Sequence, residues 1–423
     1  MNRGYKANIT SNLINQATHL VLGLFTSILI ARVLGPERHG YVTYILLFFT
    51  LMTSYGHLGL NNAVMYFHKR KNVDAQHLFN VNITCLLLIF AGLTVLTLGG
   101  WKLGLFLVDY PLPLIAGGLV FVLAGFFYYN NNAWFIASER IRESNRYNIS
   151  VFLLKTGTIF TFWLFGILIA GTNFWIAVVA MMMNALLLQI RLKRGLRLVW
   201  DAPLLKAEFR YGGILYLAAA FDHLHLRMDQ LFIKGMLGLE HLGVYSMAVM
   251  ISELMFLIPI SINSALTGRL YNIEGEDAGR IVLARTLKLS FYVCMGLTLV
   301  GIPLALLIPY VYGIAFQGAV LPSMILLLGA AFASVARVSA PYFFTSGRPL
   351  VHLRITFFCL ITNTLLNWFM IPIWGLNGAA ISSAISYFIY GLYYITILVK
   401  KEGFQLRDLF VLSLDDIRMI LPQ

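Results

Sequence analysis

The sequence predicts an all-α polytopic membrane protein, with about twelve transmembrane helices in two six-helix lobes related by a parallel pseudo-twofold repeat. Three observations carry this. Of 423 residues, 59% are hydrophobic and only 12% charged, whereas soluble domains carry about 25% charge. Apolar stretches long enough to cross a bilayer cover nearly the whole chain. The Lys and Arg between them gather in every second gap.

A helical span needs about 20 apolar residues to cross roughly 30 Å of hydrocarbon. Six stretches qualify in the first half: Ile9–Val33, Gly40–Phe67, Leu78–Gly100, Pro111–Ala137, Ile149–Ala170 and Thr172–Ile190. Six follow in the second: Tyr211–Gly235, Leu242–Leu266, Ile281–Ile308, Val320–Thr345, Ile355–Trp374 and Gly378–Val399. All far exceed the strand of a transmembrane barrel, about 10 residues, which excludes that fold. The gaps around Lys69, Arg140, Arg191 to Arg210, Arg280 and Arg348 are basic, as is the tail from Lys400. The alternate gaps hold only Arg32, Arg38, Lys102 and Lys234. Basic residues in short loops stay in the cytoplasm. Both termini are therefore expected inside, in a multi-pass protein of the cell inner (cytoplasmic) membrane.

The basic linker 191–210 divides an N-lobe, 1–190, from a C-lobe, 211–400, and an amphipathic cytoplasmic tail, 401–423, follows. The lobes repeat each other. Leu34-Gly35-Pro36-Glu37 aligns with Leu237-Gly238-Leu239-Glu240, and Ser138-Glu139-Arg140 with Ser346-Gly347-Arg348, at nearly one offset. Six spans per lobe give both lobes one orientation. That is a parallel repeat, with the substrate site expected between its halves.

Net charge is +13 and the isoelectric point about 9.6. The cations sit in loops on one side, so anionic membrane lipids are the expected partner and nucleic acid is excluded. Cys85, Cys294 and Cys359 lie inside apolar stretches and read as small hydrophobes. No nucleotide-binding loop, metal motif or catalytic constellation occurs. The chain is expected to be a transporter with no cofactor and no metal, not an enzyme.

Function is expected where charge enters the apolar stretches. Span seven carries Asp222, His223, His225, Arg227, Asp229 and Gln230. Its Leu, Ile and Phe residues supply only about 3–5 kcal/mol of insertion energy. Three mid-membrane charges cost roughly 9 kcal/mol. The charges win, so this span must be sheltered by protein or line water. At 100° per residue, Asp222, His225 and Asp229 share one side and His223, Arg227 and Gln230 another. The first side suits a proton or coupling ion and the second an anion; the alternative is an Asp–Arg network that locks the span in place. Lys155 in span five and Arg337 in span ten have no acid within a helical turn. With Arg227 they suit a phosphate-bearing headgroup, although Lys155 is close enough to the interface to snorkel. Glu253, alone among apolar residues of span eight, is a candidate proton carrier or a protonated structural acid. Asn12, Asn15, Tyr128, Asn131 and Asn363 read as interhelical hydrogen-bonding groups or as sugar contacts.

Three segments carry a resemblance. Ile30-Ala31-Arg32-Val33-Leu34-Gly35-Pro36-Glu37-Arg38-His39-Gly40 resembles the first inter-helix motif of bacterial polysaccharide transporters, the Wzx-type O-antigen flippases. Leu226-Arg227-Met228-Asp229-Gln230 is similar to their seventh-helix motif, and Trp374-Gly375-Leu376-Asn377-Gly378 to the turn entering their last helix. The resemblance implies the fold of the multidrug/oligosaccharidyl-lipid/polysaccharide exporter superfamily. It implies movement of undecaprenyl-diphosphate-linked oligosaccharide, as in lipopolysaccharide assembly, to the outer leaflet by ion-coupled alternating access. It also implies a polysaccharide polymerase and chain-length regulator as partners, and a cationic cavity suited to Arg227, Arg337 and Lys155. The acids of span seven depart from a purely cationic cavity. They keep open a cation-coupled multidrug exporter of the same superfamily. A membrane-embedded polymerase is the third reading, although the short outside loops leave little room for its catalytic groups.

Overall fold

The computed structural model describes residues 3–69, 71, 73–138, 140–257, 259–260, 262, 266, 270 and 276–411. Among them every regular element is helical. The chain divides into two units, residues 1–220 and 221–423. The first holds α1 (Arg3–Gly56), α2 (Leu60–Lys69), α3 (Ala75–Lys102), α4 (Leu112–Ala137), α5 (Ile141–Leu164) and α6 (Ala170–Leu192). It also holds most of α7 (Ala202–His225), whose last residues belong to the second unit. There follow α8 (Met228–Leu237), α9 (Leu239–Glu253), α10 (Glu276–Ala305), α11 (Ile308–Tyr312), α12 (Val320–Thr345), α13 (Pro349–Glu402) and α14 (Leu406–Phe410).

Seven described helices are long and apolar enough to cross a membrane. Breaks in two of them make nine, and α5, the pair α7 and α8, and α9, which holds the described start of span eight, account for the other three expected spans. A helix of 54 residues, the length of both α1 and α13, is about 80 Å long if straight, more than twice the hydrocarbon thickness. Each is interrupted by a glycine with positive φ: Gly35 (φ 69°, ψ 174°) in α1 and Gly375 (φ 55°, ψ −131°) in α13. The two halves of α13 fold back on one another. Asn363 donates to Ser383 at 3.3 Å, Ser386 to the Cys359 carbonyl at 3.4 Å, and His352 pairs with Tyr394 at 2.5 Å. These pairs close in symmetrically on the Gly375 turn, as only an antiparallel hairpin allows. Span seven, Tyr211–Gly235, takes in the later part of α7 and most of α8 and is interrupted at Leu226 and Arg227.

The sequence repeat is visible in the backbone. Gly35 and its counterpart Gly238 (φ 91°, ψ −177°) combine positive φ with extended ψ. Ser138 ends α4 as Ser346 ends α12, with ψ of 6° in both. The next turn repeats as well: Arg140 N–H donates to the Phe135 carbonyl and Arg348 N–H to the Phe343 carbonyl, each at 2.8 Å. Chance matches in four-residue strings do not reproduce dihedral angles.

In the first unit the basic linker is stapled to the start of α3. Val199 N–H donates to Thr84 at 2.8 Å, Arg197 N–H to Asn80 at 3.3 Å, and His77 pairs with Asp201 at 2.9 Å. That His77 hydrogen bond holds the Asp201 carboxyl below its ordinary value. Arg194 covers the Trp134 ring at 4.0 Å, and Trp200 is exposed, as an interfacial residue should be. Just before span seven, Glu208 is buried against Asn82, whose amide, turned to donate, lies 2.8 and 3.2 Å from the carboxylate oxygens. Burial pushes this carboxyl up to about 8; the Asn82 hydrogen bond opposes that rise and nearby Asp201 adds to it.

A carboxyl raised on folding takes up a proton, so stability is full below the unfolded value of about 4.3 and falls as pH rises toward 8. The slope approaches about 1.4 kcal/mol per pH unit. The unfolding midpoint of the purified protein is therefore expected to fall between about pH 5 and 8, and Glu208→Gln to flatten that decline. An equal slope in the variant refutes this assignment.

In the second unit α12 is the central helix. Ala330, Ala331 and Ala336 are fully buried, and small residues let neighbours approach closely. A Cβ at Gly329 of α12 meets the Ala384 Cα of α13 at 2.7 Å, and one at Gly391 of α13 meets the Phe332 carbonyl oxygen of α12 at 2.6 Å. The three cysteines are free and buried.

Candidate functional site

Span seven is a broken helix, and its polar residues cluster at the break. After His225 the α-helical pattern gives way: Leu226 N–H is shared between the Asp222 and His223 carbonyls at 3.3 and 3.2 Å, and Arg227 N–H reaches the Leu224 carbonyl at 3.0 Å. Helix α8 then restarts with Arg227 as its N-cap (φ −120°, ψ −7°). The positive end of α8's dipole and the Arg227 guanidinium thus stand together, an arrangement that favours anions.

Arg227 pairs with Glu253 at the end of α9, Nη2 lying 2.9 Å from one carboxylate oxygen and 3.2 Å from the other. Both contacts use one nitrogen, so Glu253 engages the edge of the guanidinium and not its two-pronged fork. Both side chains keep about a quarter of their surface, 23% and 31%. Arg337, on the central helix α12, lies 3.9 Å from Asp222 of α7 and packs its guanidinium 4.2 Å from the Phe256 ring centre. No acid lies within a helical turn of Arg337 in the sequence; folding supplies one from another helix. The pair is loose, at the outer limit of an ion pair.

The acids of span seven reach one stripe of hydroxyls on the second half of α13. Asp222 accepts from Tyr390 at 2.9 Å and Asp229 from Ser383 at 3.0 Å; His225 contacts Ser386. Asp229 also accepts from Tyr245 of α9 at 2.7 Å and from the Gln230 N–H at 2.8 Å. Asp222, His225 and Asp229 therefore share a partner helix, although the break separates Asp229 from the other two. Asn363 extends this network: it is fully buried between Ser383 and Asn367, whose amide donates to it at 2.9 Å.

A family model described as "Polysaccharide biosynthesis protein" matches residues 29–320, more than half of the chain. The chain belongs to this family of polysaccharide biosynthesis proteins. No curated protein matches its sequence. Its fold is similar to that of solved flippases and multidrug transporters. The lipid II flippase MurJ in an inward closed conformation superposes with a TM-score of 0.75 at 13% identity, covering 96% of this chain and 90% of that one. An inward-facing multidrug resistance MATE transporter gives 0.66 at 14%, with coverage of 91% and 95%. A MOP superfamily transporter from Pyrococcus furiosus gives 0.63 at 15%, with coverage of 93% and 95%.

The remaining candidates of this polysaccharide biosynthesis protein lie in the first unit. Lys155 sits on α5, its ammonium 5.8 Å from the Phe152 ring centre. Asn131 is fully buried and donates to the Ala185 carbonyl at 3.5 Å, while its Oδ1 has no hydrogen bond among the described residues. Tyr128 packs edge-on against Tyr129. Asn15 is partly buried with its Oδ1 unbonded among the described residues; the side chain of Asn12 lies outside the described residues. Sequence reasoning missed Ser383, Ser386 and Tyr390 as partners of the charged groups. Their spacing of three and four residues, one face of a helix, is the signal that was available.

Proposed function

We propose that this protein is a flippase that moves undecaprenyl-diphosphate-linked oligosaccharide units, of the O-antigen type, from the inner to the outer leaflet of the cytoplasmic membrane. It works by alternating access coupled to an ion gradient, with its basic inner loops resting on anionic lipid. The observation that supports this most is the broken seventh span. A guanidinium stands at the start of α8, held at its edge by one acid. An arginine offers five donors in a planar fork that matches phosphate oxygens. A diphosphate entering at Arg227 uses the donors that Glu253 leaves unengaged. Arg337, which faces Asp222, supplies a second cation in the same unit, and Lys155 a third from the first unit. Asp222, His225, Asp229 and Glu253 carry the coupling ion or proton. The sugars meet the amides and tyrosine of the N-lobe, Asn12, Asn15, Asn131 and Tyr128, and Asn363. A polymerase and a chain-length regulator receive the delivered units.

A multidrug exporter of the same fold takes cationic cargo and needs unneutralised acids in its cavity. Both Asp222 and Glu253 face arginines, which counts against cationic cargo.

Outward delivery of lipid-linked repeat units, measured in cells lacking the native protein, tests this reading. Arg227→Ala and Arg337→Ala are each expected to lower delivery at least about tenfold, the worth of one charge-assisted pair. Full delivery by both variants at normal abundance rejects the headgroup site.

A further inference from the structure

The turn Trp374-Gly375-Leu376-Asn377-Gly378 contains a polar residue that transport of the headgroup leaves unused. Gly375 is needed for its positive φ, and Gly378 because a Cβ there lies 2.1 Å from the Met370 carbonyl oxygen. Asn377 has no such backbone reason. It lines a cleft of about 610 Å³ on the second unit. By the alternation of basic gaps, this is the outer side.

The other wall of the cleft is the outer connection between spans nine and ten, built from α11 and the 3-10 turn Ile314–Ala319. This connection supplies Gln317 and Tyr310, and Tyr310 is 78% exposed. Two amides from separate hairpins thus converge beside an aromatic ring. The volume falls within the roughly 300–1,000 Å³ typical of ligand sites. Among the described residues the lining contains no Lys, Arg, Asp or Glu, and around the two amides it is apolar, with Leu306, Pro309, Ile314, Val320 and Leu321; an anionic lipid headgroup finds no countercharge there. Amides donate and accept equally and match the hydroxyls of a sugar; an exposed tyrosine offers an apolar face beside a polar tip.

We propose that this cleft binds saccharide, namely the sugar portion of the lipid-linked unit once it emerges on the outer side. The identity of that occupant rests on the transport reading above; the existence of a neutral polyol site does not. The probe is the repeat-unit oligosaccharide released by mild acid from the host's own lipid-linked pool. It is titrated against the full-length protein in nanodiscs and followed by saturation-transfer NMR. Sugar protons are expected to receive saturation from the wild type, with Gln317→Ala/Asn377→Ala binding about tenfold more weakly, the loss of two amide–hydroxyl bonds. Glycerol 3-phosphate is expected not to compete. The exposed single variant Gln317→Ala, expected to weaken binding severalfold, serves if the double variant does not fold.

Equal binding by wild type and folded variants overturns the proposal. Competition by glycerol 3-phosphate also overturns it and makes the cleft a lipid site. No saturation transfer in a wild type that still delivers repeat units outward overturns this site alone and leaves the transport reading standing.

Discussion

Gly378→Ala is expected to cost more stability than any other single methyl added to the second unit. The added Cβ falls 2.1 Å from the Met370 carbonyl oxygen and 2.6 Å from its carbon. Both are backbone atoms of the facing half of α13, so no side chain can swing aside; the hairpin itself must open by about 1 Å. Overpacking a rigid core costs about 1–3 kcal/mol when side chains can yield, and more when they cannot. Here the expected loss is at least about 3 kcal/mol, a large part of a total of roughly 5–15 kcal/mol. Folded yield in detergent should fall severalfold, with the unfolding midpoint lowered by at least about 5 °C. Gly157→Ala is the control: a Cβ there meets nothing within 4 Å, and alanine favours the helix by about 1 kcal/mol. Equal melting of Gly378→Ala and wild type refutes the close-approach account.

The second large effect separates transport from stability at the Arg227–Glu253 pair. Arg227→Ala leaves a partly buried carboxylate without its cation. Breaking a fully buried pair costs about 3–5 kcal/mol, and the remaining exposure of both side chains reduces this to roughly 1–2 kcal/mol. Glu253→Gln in the Arg227→Ala background removes the stranded charge, so most of that stability should return. Outward delivery should not return, because the guanidinium is still missing. Thermal melts and delivery assays on the two single variants and the double variant complete the cycle. If delivery recovers together with stability, Arg227 serves only to neutralise Glu253, and the headgroup role is lost.

Fold class, spans and repeat were legible in the sequence because each depends on a local or periodic property. Twenty apolar residues are a span wherever they occur, and a Gly at the same register in both halves, Gly35 and Gly238, adopts the same backbone conformation. The grouping of Asp222 and His225 was also legible, since α-helical periodicity fixes their face; Asp229 lies beyond the break, yet it too meets α13. The break at Leu226 and Arg227 was not legible. No Pro or Gly marks it, and it became visible only with the shared carbonyl partners of Leu226 and the displaced partner of Arg227.

By itself, then, the sequence determined that the chain lives in a membrane, how often it crosses, and which few side chains are too polar for lipid. Tertiary structure alone decided what those side chains meet: Arg337 finds Asp222, Arg227 finds Glu253, and Asp229 finds Ser383 and Tyr245. The reason is range. Crossing a bilayer is settled by transfer free energy summed along one segment, whereas pairing in a low-dielectric interior depends on which distant helix arrives, a property of packing across more than a hundred residues.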